Sequence, residues 1–309
     1  MSTALHLKDV VKRYGKRIAL NGLNLSVPPG STFALVGSNG AGKTTALAAM
    51  MGLIKIQGGE INILGLGSFQ PATHGGRVSL LPQDAQLPGH SRVREILLFY
   101  GRLQGMDPGS LPHEVDMKLD QVNLLDRAND KIQTLSHGMR RRLTIAQALL
   151  GEPDLVLLDE PLNGLDPVET MNIRSIILRR RAGQTLVISS HLLTELESTC
   201  DHVAIVENGC TIRQDRIQEF RQAETRILYR VRQGPLPLDR LAATIPEVKF
   251  EETAEGAEFL AVLPGTGILP EDVNTAVFAC LKDQGLALLE IRLGNNLESA
   301  YLQSRKEVQ

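Results

Sequence analysis

Residues Gly37, Ser38, Asn39, Gly40, Ala41, Gly42, Lys43 and Thr44 follow the pattern G-x-x-x-x-G-K-T, with Thr45 directly after. Glycines in such a run let the backbone curl so that several N–H groups point inward, which suits a polyphosphate. A helix starting at the end of the loop adds positive potential. Lys43 would reach the β- and γ-phosphates, and the Thr44 hydroxyl would ligate Mg²⁺. The flanks have the required character. Thr32 to Val36 reads as a buried strand, and Thr44 to Met51, rich in Ala, Leu and Met, reads as a helix. A chance glycine turn between strand and helix has no reason to carry both the lysine and the hydroxyl.

Five more elements follow in order. Gln83 stands after the short strand Val78 to Leu81 and Pro82. Leu135-Ser136-His137-Gly138-Met139 opens a helix that continues through Arg140, Arg141 and Arg142. The apolar run Leu155 to Leu158 has the continuity of a strand covered on both faces, and it ends in Asp159-Glu160-Pro161. Asn163-Gly164-Leu165-Asp166 comes next. The strand Thr185 to Ser189 closes in Ser190-His191, about thirty residues past Glu160. Two acids side by side near a metal and phosphates are electrostatically unequal, so one can be a ligand and the other a base. A polar strand end accounts for one of them but not for both. Histidine and glutamine are common in turns, so His191 and Gln83 draw their interest from position.

In register, these elements resemble the nucleotide-binding subunit of an ATP-binding-cassette (ABC) transporter, over residues 5 to about 220. The resemblance implies an ATPase. Gly37 to Thr45 hold ATP, Asp159 holds Mg²⁺ with Thr44 and Gln83, Glu160 orients or deprotonates the attacking water, and His191 contacts the γ-phosphate. Tyr14, in Val11-Lys12-Arg13-Tyr14-Gly15, stands where the family stacks an aromatic on adenine; a core or turn tyrosine is the alternative. Leu135 to Met139 departs from the family's L-S-G-G-Q, with His137 for the first glycine and Met139 for the glutamine. Ser136 and Gly138 remain, and in the family they face the γ-phosphate from a second subunit. The resemblance therefore implies a head-to-tail homodimer with ATP between its subunits. It also implies a separate membrane permease, docked near Gln83 and the following loop, and a cytoplasmic location on the inner face of the membrane. The segment Asn296 to Leu302 is similar to the closing helix of bacterial drug, antibiotic and polysaccharide exporter ATPases, which points to export.

The elements that must hold these residues form an α/β pattern. Short strands split by turns occupy residues 4–36, then Gly59 to Gly65 forms a second β stretch. Residues from about 84 to 150 turn helical and interrupt the strand–helix alternation of a largely parallel sheet. The fold class is a P-loop ABC ATPase core with an antiparallel β subdomain and a helical insertion, over residues 1–224. Residues 225–309 read as strand, helix, two strands, helix, strand, a small ferredoxin-like α+β domain with accessory or regulatory work. Its long helix starts at Pro270, places Val273, Val277, Phe278 and Leu281 on one face, and stops before Gly285.

At 309 residues, 42% hydrophobic and 22% charged, the chain has ample core for two domains. Net charge is −2, which gives no general nucleic-acid footprint. The arginine triplets at 140–142 and 179–181 read as solvated helix faces, with no nucleic-acid partner. No apolar run approaches the roughly 20 residues that span a bilayer, and Met1 to Val10 lacks the layout of a signal peptide. Cys200, Cys210 and Cys280 have no metal-ligand spacing and read as reduced, buried thiols. Three competing classes stay in view. A soluble ABC protein of ribosomes or DNA would bring a second cassette or a coiled-coil insertion. A non-catalytic regulatory cassette is opposed by Glu160 and His191. A P-loop kinase or GTPase leaves the later motifs unexplained.

Overall fold

Buried runs of Leu, Val and Ile set the layering. The computed structural model describes residues 3–192, 196–222, 224–232, 234–253, 257–264 and 268–294. The chain divides into two compact units, Met1–Gln214 and Asp215–Gln309. The first half of unit one runs β1 (Leu5–Tyr14), β2 (Arg17–Val27), β3 (Thr32–Val36), α1 (Lys43–Met50), β4 (Gly58–Ile63), α2 (Pro71–His74) and β5 (Val78–Leu81). It continues with α3 (Val93–Leu103), α4 (Leu111–Gln121), α5 (His137–Leu149), β6 (Leu155–Leu158), α6 (Pro167–Leu178), β7 (Thr185–Ser190), β8 (His202–Glu207) and β9 (Cys210–Arg216).

Six of these strands form one sheet in the order β5-β6-β7-β3-β8-β9. β5 to β6, β6 to β7, β7 to β3 and β3 to β8 all pair in parallel. Every residue of β3, β6 and β7 is buried. That is the signature of parallel strands covered on both faces, and it explains their unbroken apolar composition. A second, antiparallel sheet has the order β2-β1-β4. Here the short strands expected over residues 4–36 merge into two long ones, β1 and β2. Register shifts between Leu7 and Val10 and between Lys12 and Arg13 act as bulges, so a long strand bends without breaking. One core joins the two sheets to α1. It contains Leu5 and Leu7, Phe33 and Leu35, Leu47 and Met50, and Leu155 and Leu157. The loop between β3 and α1 is therefore anchored in packed core at both ends.

The helical insertion buries one stripe of each helix: Val93, Ile96 and Leu97 on α3, then Leu111, Val115 and Leu119 on α4. Phe99 and Leu103, which share the apolar run of α3, lie outside that stripe and are exposed. Among the described residues, no helix is long and apolar enough to cross a membrane. Cys200 is buried, whereas Cys210 and Cys280 are only partly so, and all three are free thiols.

Unit two contains α7 (Ile217–Gln222), β10 (Glu224–Val231), α8 (Leu238–Thr244), β11 (Lys249–Glu252), β12 (Glu258–Pro264), α9 (Pro270–Asp283) and β13 (Leu288–Gly294). Its sheet order is β11-β12-β10-β13, antiparallel throughout. From β10 to β13 this is the split β-α-β arrangement. Alternate residues Ile227 and Tyr229 of β10, with Phe259 and Ala261 of β12, pack with Leu241 of α8 and Val273, Val277 and Leu281 of α9. Phe278 does not join them and is 48% exposed. It follows Val277 by one residue, a rotation of about 100° around the helix, which carries it off the buried stripe. The segment Asn296 to Leu302 lies outside the described residues.

Phe259 is fully buried and stacks on Tyr229 with ring centroids 5.1 Å apart. Phe259→Ala should destabilise this unit by about 3–5 kcal/mol, the cost of an aromatic cavity, read as a lower denaturant midpoint. An unchanged midpoint would show that this core does not hold the unit together.

Candidate active site

The carboxyl ends of three adjacent parallel strands, β6, β7 and β3, converge on one region, the usual location of a ligand in an open α/β sheet. β3 delivers the loop Gly37–Gly42 and α1. β6 delivers Asp159 and Glu160. β7 delivers Ser189, Ser190 and His191. Gly42 precedes α1 with φ 109°, a conformation that L side chains rarely adopt. A Cβ there would also lie 2.6 Å from the Ala19 carbonyl oxygen. The first-turn N–H groups of α1 have no intrahelical acceptor. They belong to Lys43, Thr44 and Thr45, which line a cleft of about 540 Å³.

That cleft brings together most of the expected residues. Tyr14, Asn39, Gly40, Gly42, Lys43, Thr44, Thr45, Gln83, Glu160 and His191 line it, with Arg17, Ala19 and Asn163. Tyr14 is half exposed at its edge, so it is not a core tyrosine. Gly37, Ser38 and Ala41 belong to the same loop but do not line the cleft; the Gly37 and Ser38 carbonyls accept from Lys43 instead. Asp159 is buried beside the cleft rather than on its lining. Ser136 and Gly138 do not line it at all.

Lys43 is the electrostatic centre. The residue is 5% exposed, and its ammonium donates to the Gly37 carbonyl at 2.7 Å and the Ser38 carbonyl at 3.3 Å and ion-pairs with Glu160 Oε1 at 3.2 Å. The other Glu160 oxygen, Oε2, lies 3.0 Å from His191 Nδ1. One buried carboxylate thus bridges the loop lysine and the histidine at the end of the next strand. Sequence separations of 117 and 31 residues close into a few ångströms because β3, β7 and β6 are neighbours.

Ser189 positions both acids, a role that its place inside an apolar strand gives no hint of. Its fully buried hydroxyl donates to Asp159 Oδ1 at 2.6 Å and accepts from the Glu160 backbone N–H at 2.8 Å. Glu160 itself has φ +47°, unusual for a side chain of its size.

The reading of the triplet Arg140–Arg142 as a solvated face is corrected. Only Arg140 is exposed. Arg141 and Arg142 are 9% and 6% exposed. The Arg142 guanidinium meets Glu169 at 3.0 Å and donates to the Val122 and Asn123 carbonyls. Arg141 donates to the carbonyls of Gln83, Asp159, Glu160 and Pro161. Burial pulls its pKa below the usual guanidinium value, opposed by Asp159, Asp84 and Glu160. An arginine buried among carbonyls satisfies its donors without any solvent. In the second triplet Arg179 and Arg181 are exposed, and Arg180 is half buried on the Gly30 carbonyl.

The modified signature segment caps α5. Ser136 accepts from the Met139 N–H at 3.1 Å, the usual bond of an N-cap serine. Ser136 and His137 are exposed, while Gly138 is buried against Glu169. A Cβ on Gly138 would stand 2.4 Å from Glu169 Cγ. Asp166, exposed, caps α6 by accepting from the Glu169 N–H at 2.9 Å.

A parallel sheet, a phosphate loop at its carboxyl edge and a buried acid facing the loop lysine define a P-loop nucleoside triphosphatase. Known proteins narrow the class. The family model described as ABC transporter matches residues 20–163. The Nod factor export ATP-binding protein I of Cupriavidus metallidurans is 33% identical over 282 residues, covering 86% of this chain and 92% of the relative. The linearmycin resistance ATP-binding protein LnrL of Bacillus subtilis is 33% identical over 208 residues, covering 66% and 67%. A solved ATP-binding subunit of an ABC transporter matches with TM-score 0.63 and 27% identity, over 71% of this chain and 92% of that one. The fold is also that of cbiO1 from Clostridium perfringens, TM-score 0.64 at 24% identity, over 71% and 90%. The chain belongs to the ABC transporter family and is its ATP-binding, ATP-hydrolysing subunit, which drives a separate permease.

Gly42→Ala combines a strained φ, about 1–3 kcal/mol, with a clash against Ala19. It should weaken ATP binding at least about tenfold in a fluorescent-nucleotide titration, since 1.4 kcal/mol is one decade. Wild-type affinity would show that the loop does not need this conformation to hold phosphates.

Proposed function

We propose that this chain powers export, that two copies close head to tail on ATP, and that Glu160 activates the attacking water. The observation that carries the reading is the buried Glu160 carboxylate, set between Lys43 and His191 in the phosphate cleft. A carboxylate there is within reach of a water in line with the γ-phosphate. His191, on the opposite carboxylate oxygen, orients that group and meets the γ-phosphate. Lys43 exchanges its contact with Glu160 for the β- and γ-phosphate oxygens, and the Gly37–Gly42 backbone wraps them. Tyr14 stacks on adenine.

The oxygen-rich set of Thr44, Asp159 and Gln83 fits Mg²⁺, which prefers hard oxygen donors. Bound there, the ion would supply positive charge that offsets the triphosphate. Ser189, bonded to Asp159 Oδ1, fixes which way that carboxylate faces.

The other half of the site comes from a second copy. Ser136 and Gly138 stand at the start of a 13-residue helix and are absent from their own subunit's cleft, and Ser136 is exposed there, as a donor meant for another subunit's phosphate would be. Asp166, also exposed, lies on the same interface. The signature with His137 and Met139 is read as a working variant. The permease docks beside Gln83. Gln83 lines both the ATP cleft and a second cavity of about 520 Å³, formed with Asp84 to Leu87 and Ile132, through which a docked helix would sense the site. The names of the export and resistance relatives support outward transport. The protein then works at the inner, cytoplasmic face of the membrane, and residues 225–309 act in dimer contact or regulation.

Glu160→Gln should abolish ATP turnover and accumulate an ATP-dependent dimer on size-exclusion chromatography, whereas Lys43→Ala should lose turnover and form no such dimer, for want of nucleotide. Turnover near wild type in the Glu160→Gln protein would remove Glu160 as the base.

A further inference from the structure

We infer that Arg141 is a positioning residue for Glu160, holding the catalytic backbone in its unusual conformation and tying it to the signature helix. The inference rests on the reading of Glu160 as the base. Three consecutive carbonyls, those of Asp159, Glu160 and Pro161, converge on this one guanidinium at 3.1, 2.7 and 3.1 Å. In an extended chain successive carbonyls alternate in direction. They share one guanidinium here, Asp159 and Glu160 on Nη2 and Pro161 on Nε, because Glu160 turns the chain with φ +47°. Such a residue persists only where its surroundings over-determine it. Two groups do so. Ser189 Oγ takes the N–H of Glu160, and Arg141 takes its carbonyl.

A fourth bond reaches the Gln83 carbonyl at 3.1 Å. Arg141 lies five residues after Ser136 on the same helix, α5. One side chain therefore joins the signature helix, the loop of Gln83 and the turn that aims Glu160. Any displacement of α5 is transmitted to the base and to Gln83 together. Arg142 supplies the internal comparison. It is the next residue, equally buried and multiply bonded, but to Val122, Asn123 and Glu169 instead.

The test measures ATP affinity and turnover separately for Arg141→Lys, Arg141→Gln and Arg142→Lys, with Glu160→Gln alongside. Both Arg141 variants should lower kcat by about tenfold to a hundredfold with ATP Kd within about twofold, the pattern of a misplaced catalytic group. Arg142→Lys should lower the melting temperature without that split. Arg141→Lys keeps the buried charge, so it decides the matter if Arg141→Gln does not fold. Wild-type kcat in Arg141→Lys, or a parallel loss of binding and turnover like that of Arg142→Lys, would overturn the inference. Loss of turnover in Glu160→Gln without the Arg141 split would refute positioning alone. Retained turnover in Glu160→Gln would refute the assignment of the base.

Discussion

The site is organised around one buried ion pair. Lys43 and Glu160 meet at 3.2 Å with side chains each 6% exposed, and His191 closes on the far oxygen. Taking both charges out of water is costly, and removing either partner leaves the other uncompensated, a penalty of about 3–5 kcal/mol. The surroundings are built to meet that cost. Loop carbonyls receive the remaining Lys43 donors, and the Glu160 main chain is held on both sides. The same pair makes the cleft selective for a polyanion. A triphosphate offers Lys43 a richer set of oxygens than one carboxylate does.

Topology makes this arrangement possible. β6, β7 and β3 are consecutive in the sheet though far apart in the chain. Their ends therefore present the acids, the histidine and the phosphate loop side by side. All three strands are fully buried, so each side chain at their ends is aimed by packing that leaves little freedom. The helical insertion enters this machinery through α5. Its outer end presents Ser136 and His137, and its inner turn places Arg141 on the main chain of Asp159, Glu160 and Pro161.

Much of the site was legible because its chemistry is local. The loop Gly37–Thr44 carries lysine, hydroxyl and glycines within eight positions, and Asp159 and Glu160 end a run whose burial follows from its composition. What was hidden depends on partners distant in sequence. Arg141 looks like any arginine in a basic triplet, since the carbonyls that bury it lie 18 to 58 residues away. Ser189 looks like a strand residue, because its bonds run to Asp159 and Glu160 on the neighbouring strand. Phe278 illustrates a smaller limit: one step along a helix separates a core residue from an exposed one. The merging of short N-terminal strands into β1 and β2 depends on bulges, which no periodicity encodes.

The central claim is that the Lys43–Glu160 pair is a resting contact that the phosphates of ATP displace. It is tested by the ATP affinity of Glu160→Gln against wild type at one ionic strength. Neutralising Glu160 leaves Lys43 unpaired and removes a negative charge from beside the γ-phosphate. ATP should then bind about tenfold tighter, a change of about 1.4 kcal/mol. Unchanged or weaker ATP binding would contradict the account.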